Sequence, residues 1–156
     1  MNVILRRAEA ADAEALWAWA NDPAARAASG TQAPIEWPHH VSWLAKRLAS
    51  PNNLILMAES PAGQPLGTIR FETDDHWVSA RLSYLVAPDS RGRGVGRTLL
   101  ERGPDALAAV RTGVRLVAQV RPTNQPSRRL FEALGWVEDG STAEFLRFVG
   151  LARGRP

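Results

Sequence analysis

The spacing of apolar positions changes several times along the chain, and each change marks an element. Val3 to Ala8 reads as a strand, and Ala10 to Ala20 as a helix with Leu16, Trp17 and Ala20 on one face. Asn21-Asp22-Pro23 ends that helix, because the residue before a proline avoids the α region. A second helix runs from Trp37 or Pro38 to Leu48. Leu54 to Glu59 and Leu66 to Thr73 form a hairpin about the turn Ser60-Pro61-Ala62-Gly63-Gln64-Pro65. Asp74-Asp75 turns the chain again into a long strand, His76 to Val86. A helix then spans Gly94 to Val110, with a kink or break expected at Gly103-Pro104. Arg115 to Val120 is the fifth strand and Asn124 to Leu134 a helix that Gly135 terminates. Trp136 to Glu138 and Glu144 to Val149 are a closing strand pair, and the tail Ala152 to Pro156 is expected to fray.

The junction after the long strand carries the chemistry. Leu82 to Ala87 is stopped by Pro88-Asp89, and Arg91-Gly92-Arg93-Gly94-Val95-Gly96-Arg97-Thr98 leads into an apolar helix. Glycines permit positive φ and close approach of a ligand to the backbone. The helix start offers unpaired N–H groups and the positive end of its dipole to an anion. Charge is unevenly placed in the same sense. Residues 91–129 hold nine arginines against Glu101 and Asp105, while the whole chain has a formal net charge of only +3. A phosphate-bearing cofactor is the expected ligand.

The composition narrows the classes further. With no cysteine there is no disulfide and no thiolate chemistry, and with three histidines a His-rich metal site is not expected. Met1 to Arg7 has too short an apolar run for a signal peptide, and no later segment reaches the length of a membrane span, so the expectation is a cytoplasmic protein. No basic face interleaved with aromatics suggests nucleic acid, and no Gly-Lys-Ser/Thr follows the glycines as a P-loop requires.

Arg91-Gly92-Arg93-Gly94-Val95-Gly96 resembles the R/Q-x-x-G-x-G/A signature of the GNAT N-acetyltransferases. Asn124-x-x-Ser127-x-x-x-Phe131-x-x-x-Gly135-Trp136 resembles the family's N-x-x-A-x-x-x-Y-x-x-x-G-F segment. The resemblance covers nearly the whole of residues 1–156. It implies a single α/β (α+β) domain with a mixed, mostly antiparallel sheet of six to seven strands, splayed between the fourth and fifth, with helices on both faces. It also implies acetyl-CoA as co-substrate, no metal, and direct acetyl transfer to a primary amine of a small molecule. Arg91 to Thr98 would wrap the pyrophosphate, and Leu85, Val86, Asn124, Ser127 and Phe131 would line the pantetheine, with the Val86 N–H polarising the thioester carbonyl. Arg128 and Arg129 are further candidates for the nucleotide phosphates, against a solvated helix face. A homodimer through the last strands is left open.

Two positions depart from the family. Arg81 stands where many members carry a basic glutamate, and Phe131 where many carry an acidic tyrosine. An alkyl ammonium of pKa about 10 must lose its proton before attack, whereas a thiolate of pKa about 8.5 leaves reasonably well. Glu72 is the first choice of base, ahead of Asp74, Asp75, His76 and His40. Tyr84 serves as acid or orients the acceptor, or else packs in the core, and Ser127 stands one helical turn before Phe131 to donate to sulfur. Arg7-Ala8…Asp12…Leu16-Trp17…Asn21-Asp22…Arg26…Ser29…Ile35…His40-x-x-Trp43 resembles the N-terminal half of GNAT enzymes acting on amino-sugar nucleotides of the pseudaminic acid type. That similarity points to Asn21, Arg26, His40 and Trp43 as acceptor contacts, and Arg70 and His76 are further candidates. A binding module that holds acyl-CoA without transfer, and an acetyltransferase for a protein N-terminus or an antibiotic-like amine, are the alternatives.

Overall fold

The structure, a computed structural model, describes residues 2–152. Strands β1 (Ile4–Arg7), β2 (Asn53–Glu59), β3 (Pro65–Glu72), β4 (Ser79–Val86), β5 (Arg115–Val120), β6 (Val137–Glu138) and β7 (Leu146–Leu151) form one sheet. Their order is β1-β2-β3-β4-β5-β7-β6, and each adjacent pair is antiparallel except β4 with β5. The helices are α1 (Ala13–Ala20), α2 (Pro23–Ala28), α3 (Trp37–Ala49), α4 (Val95–Ala108) and α5 (Gln125–Ala133).

Alternation along the strands sends side chains to two cores. Leu54, Leu56, Ile69, Phe71 and Leu82 meet Leu99 and Leu107 of α4 and Phe131 of α5. On the opposite face Ile55 and Met57 meet Leu16 and Trp19 of α1 and Leu44 of α3. The sheet is therefore covered on both sides, as the sequence implies. Among the described residues no helix is long and apolar enough to cross a membrane.

The parallel pair β4–β5 is the feature that makes a site. Its register runs Ser79↔Arg115, Ala80↔Leu116, Arg81↔Val117 and stops there, although β4 continues to Val86 and β5 to Val120. Beyond Arg81 and Val117 the two strands diverge, and the main-chain groups on their facing edges have no partner across the gap.

Four expectations need correction. First, α2 follows the stop signal directly: Asp22 accepts a hydrogen bond from the Ala24 N–H at 3.1 Å, and Pro23 sits in the first turn. The residues that end α1 also begin a second helix, because a proline excluded from a helix interior is favoured at its start. Second, α4 runs unbroken through Pro104. Leu99, Leu100, Gly103, Pro104, Leu107 and Ala108 are all buried there. Burying each leucine contributes about 1.5–3 kcal/mol, enough together to offset the roughly 3 kcal/mol of an internal proline. Gly103 fits the same contact, since a Cβ there would lie 2.7 Å from Ile69 Cδ1. Third, β4 starts at Ser79 rather than His76; His76 and Trp77 are left-handed, at φ 55° and 68°. The Thr73 hydroxyl holds that turn by accepting the Trp77 N–H at 3.0 Å. Fourth, Ala152 is pinned, not frayed, donating to the Val114 carbonyl at 2.8 Å; the rest of the expected tail lies outside the described residues.

Candidate active site

The glycine turn places a helix start beside the diverging strands. Gly92 and Gly94 take φ 75° and 82°, the left-handed region where a Cβ is costly. No atom lies within 4 Å of a Cβ built at either, so backbone conformation is what these positions demand of the protein. Gly96 is different: a Cβ there would sit 3.3 Å from Leu130 Cδ1 and 3.4 Å from Tyr84 Cε2, so its absence seats the start of α4 against β4 and α5. Gly94 caps α4, its carbonyl accepting both the N–H and the hydroxyl of Thr98 at 3.0 Å. The N–H groups of Val95, Gly96 and Arg97 precede that first bond and are free for an anion.

Arg91, Gly92, Gly94, Val95, Gly96 and Arg97 line a cleft of about 1770 Å³; Arg93 and Thr98 do not. Arg91 bonds the Asp22 carboxylate at 2.7 Å, holding it below the usual range and tying α2 to the turn. Arg97 pairs with Glu101 one turn along, and Arg128 likewise with Glu132. The main chain, more than these side chains, is what the turn presents.

The cleft continues between the diverging strands, lined by Leu82 to Val86 on one side and Val117 to Val120 on the other. The Ala87 N–H donates to Leu66 on the β3 side at 2.9 Å. Strand alternation then turns the N–H and carbonyl of Val86 towards β5, where the register has ended. Leu85 pairs with Thr68 of β3 and lies on the face of the second core.

Tyr84 reaches into the same space, half-buried, and its hydroxyl donates to Ser127 Oγ at 2.9 Å. Burial pushes the phenol up, so it stays protonated. Tyr84 thus packs against the core while it lines the cleft. Asn124 caps α5, accepting the Ser127 N–H at 3.4 Å. Phe131 is 1 % exposed, edge-on to Tyr84 and stacked on Phe148, so it forms the floor beneath the pair.

The acceptor candidates separate into two groups. Asn21 clamps the backbone of Ile35, donating to its carbonyl at 2.9 Å and accepting its N–H at 2.7 Å; it does not line the cleft. Arg26 spends its donors on the carbonyls of Ala20, Thr31 and Ala33, holding residues 29–36 as a roof. His76 stands in the left-handed turn, away from the cleft. His40 is buried between Trp37 and Trp43, its Nε2 3.0 Å from the Ala13 carbonyl, and burial pushes its imidazole below the ordinary value. Trp43 and Arg70 do meet in the cleft, with the Arg70 guanidinium 4.9 Å over the Trp43 ring.

Glu72 is taken up by cations. It accepts from Arg47 of α3 and, at 3.0 Å, from Arg81, its register partner on β4, and it does not line the cleft. Asp74 accepts from Arg81, and Asp75 caps the turn by binding Ser79. Sequence reasoning missed Arg47, although it stands one turn after Trp43 on the same helix face. It also missed Arg121, which donates to Ser29 at 2.6 Å and fastens the roof to the end of β5.

The arrangement has a family. The acetyltransferase (GNAT) domain matches residues 2–137. The chain belongs to this family. This GNAT acetyltransferase domain, an acyltransferase by family, also superposes on solved structures over nearly its full length. Ribosomal-protein-alanine N-acetyltransferase from Brucella melitensis is 25% identical, at TM-score 0.80 over 95% of this chain and 99% of that one. Spermidine N-acetyltransferase from Vibrio cholerae, in complex with CoA and spermine, is 20% identical, at 0.80 over 96% and 95%. The yncA protein of Salmonella typhimurium, with its cofactor acetyl-CoA, is 23% identical, at 0.76 over 100% and 97%. Among curated proteins none matches the sequence.

Proposed function

We propose that this acetyltransferase moves the acetyl group of acetyl-CoA directly to a primary amine of a small molecule, with an amino-sugar nucleotide as the narrower candidate. One observation carries the reading: unpaired main-chain donors of a diverging β4–β5 pair stand beside the start of α4, which no side chain caps, in one cleft. The solved relatives with acetyl-CoA and with CoA and spermine support the co-substrate. A cleft of about 1770 Å³ exceeds the roughly 300–1,000 Å³ of a single small-ligand pocket, which leaves room for donor and acceptor together.

In this reading the first-turn N–H groups of α4 hold the pyrophosphate and the Val86 N–H polarises the thioester carbonyl. The neutral amine attacks that carbon and the C–S bond breaks; the Tyr84 hydroxyl, turning from Ser127 Oγ to the sulfur, protonates the departing thiolate, and the phenolate regains a proton, through water, from the nitrogen that has formed the amide. Glu72 is engaged by two guanidiniums, so the deprotonated fraction of the amine reacts. On that basis kcat/KM rises with pH, about tenfold per unit, towards an amine pKa of about 10; a plateau set by a group of the protein would overturn the step.

The test of the whole reading is thiol release from acetyl-CoA with a panel of amines that includes an amino-sugar nucleotide. Turnover with at least one amine is expected. CoA at one hundred times its dissociation constant should stabilise the fold by about 2.7 kcal/mol, and a flat melting curve refutes the site. A second reading, a module that binds acyl-CoA without transfer, is favoured by Arg81 and Phe131 at the usual base and acid positions. Binding without turnover across the panel would select it.

A further inference from the structure

Arg70 is the unspent cation of the cleft. Its neighbours on the same sheet face are neutralised: Arg47 and Arg81 both bind Glu72, and Arg81 also binds Asp74. Arg70 has no hydrogen-bond or ion-pair partner among the described residues, only the Trp43 ring beneath it. Burial pushes its guanidinium down from the ordinary value and Arg47 and Arg81 add to that, while Glu72 opposes it. A half-buried guanidinium that donates to no protein group is poorly compensated, and a carboxylate or phosphate in the fork relieves it. The Trp43 ring takes none of the guanidinium N–H groups as a hydrogen-bond donor, which leaves them for an oxyanion.

The placement suits the acceptor and not the cofactor. Arg70 pairs in register with Ile55 of β2 and Ser83 of β4. Val86 lies three residues along β4 from Ser83, about 10 Å at strand rise. Charge along the cleft has the same sense. Glu36, at the exposed rim, is the sole carboxylate among the lining residues, against Arg26, Arg70, Arg81, Arg91, Arg97 and Arg121.

We propose that Arg70, stacked on Trp43, is an anion subsite, and that the acceptor is an amine bearing a carboxylate or phosphate several bonds from its nitrogen. The inference rests on the acetyltransferase reading above. It excludes a polyamine as the preferred acceptor, since a polycation offers this subsite only like charge.

Matched amines test it: δ-aminovalerate, aminopentanol and cadaverine for a carboxylate, and glucosamine phosphate against glucosamine for a phosphate. Thiol release from acetyl-CoA should favour the anionic member of one series by at least about tenfold in kcat/KM, the scale of a charge-assisted bond. The series that shows the preference names the anion. Arg70→Met should bring the ratio near unity, with Arg70→Lys between. Preference for cadaverine or the neutral amines, or a ratio that survives Arg70→Met, overturns the subsite while acetyl transfer stands. If no amine releases thiol, calorimetry of the same pairs in the presence of CoA decides, and equal binding of charged and uncharged members overturns it. A missing thermal shift with CoA alone instead overturns the acetyltransferase reading itself.

Discussion

Replacing Glu72 by glutamine separates two roles that one carboxylate is asked to play. The change keeps the shape of the side chain and removes the charge between Arg47 and Arg81. Glu72 is 17% exposed, but its partners are 36% and 56% exposed, so solvent screens both pairs. Exposed pairs contribute roughly 0.2–1 kcal/mol each. A largely covered carboxylate places these two towards the upper end, for a total of about 1–2 kcal/mol. In a domain of this size that lowers the melting temperature by roughly 2–8 °C. Urea unfolding followed by tryptophan fluorescence reads the stability, and thiol release across a pH series reads the mechanism. The expected outcome is a lowered urea midpoint together with an unchanged slope of log kcat/KM against pH. A general base would behave otherwise, losing on the order of 10²–10⁴-fold in rate, more near neutrality than where the amine is already deprotonated. An unchanged midpoint with a rate loss of that size would return Glu72 to the chemistry and refute the argument from its ion pairs.

Three more outcomes follow from single residues. Gly94→Ala forces a Cβ onto φ 82° with no steric contact, so it should cost about 1–2 kcal/mol in urea unfolding; a neutral result would mean the turn is not left-handed. Tyr84→Phe removes the donor to Ser127 and should slow transfer by about 10²-fold. The loss should shrink with acyl donors whose thiol is more acidic, and an equal loss with every donor would leave the hydroxyl a packing role only. His40 is held neutral by burial, so unfolding takes up a proton and stability should fall as pH drops below about 6.5. His40→Gln should remove that step, while Asp12, held low by its bond from Arg6, loses its contribution only below its ordinary value of 3.8. A stability curve flat from neutrality down to that second decline would refute the His40 assignment.

The parts of this site that were legible in the sequence are those written in consecutive residues. The strand ending at Val86, the glycines and the helix after them announce themselves by period and by backbone demand, and the structure places them together. What was not legible depends on pairing across distance. Glu72 looks like a free hairpin carboxylate until the register sets Arg81 opposite it and α3 lays Arg47 above it. Asn21 and Arg26 look like acceptor contacts, but they donate to the carbonyls of Ala20, at the end of α1, and of Thr31, Ala33 and Ile35 in the segment after α2. The Tyr84–Ser127 bond joins residues 43 apart. In each case a polar side chain was claimed by a backbone or charge that only the fold brings near.

The two halves of the cleft are therefore specified by different means. At the proposed cofactor end the cleft presents amides of Val86 and Val95 to Arg97, which any side chains compatible with a strand edge, a left-handed glycine and a helix start will present. At the proposed acceptor end the cleft presents side chains instead: Trp43 from α3, and Arg70, Arg81 and Ser83 from one face of β3 and β4. A fold shared at 20% identity with an enzyme crystallised with spermine thus constrains the first half and leaves the second open. On the proposed reading Arg70, which has no hydrogen-bond or ion-pair partner of its own, is the most decisive group in that second half, because an occupant must either satisfy it or shield it from water without a partner. On the proposed reading the charge of the acceptor follows from that residue, whichever relative the backbone most resembles.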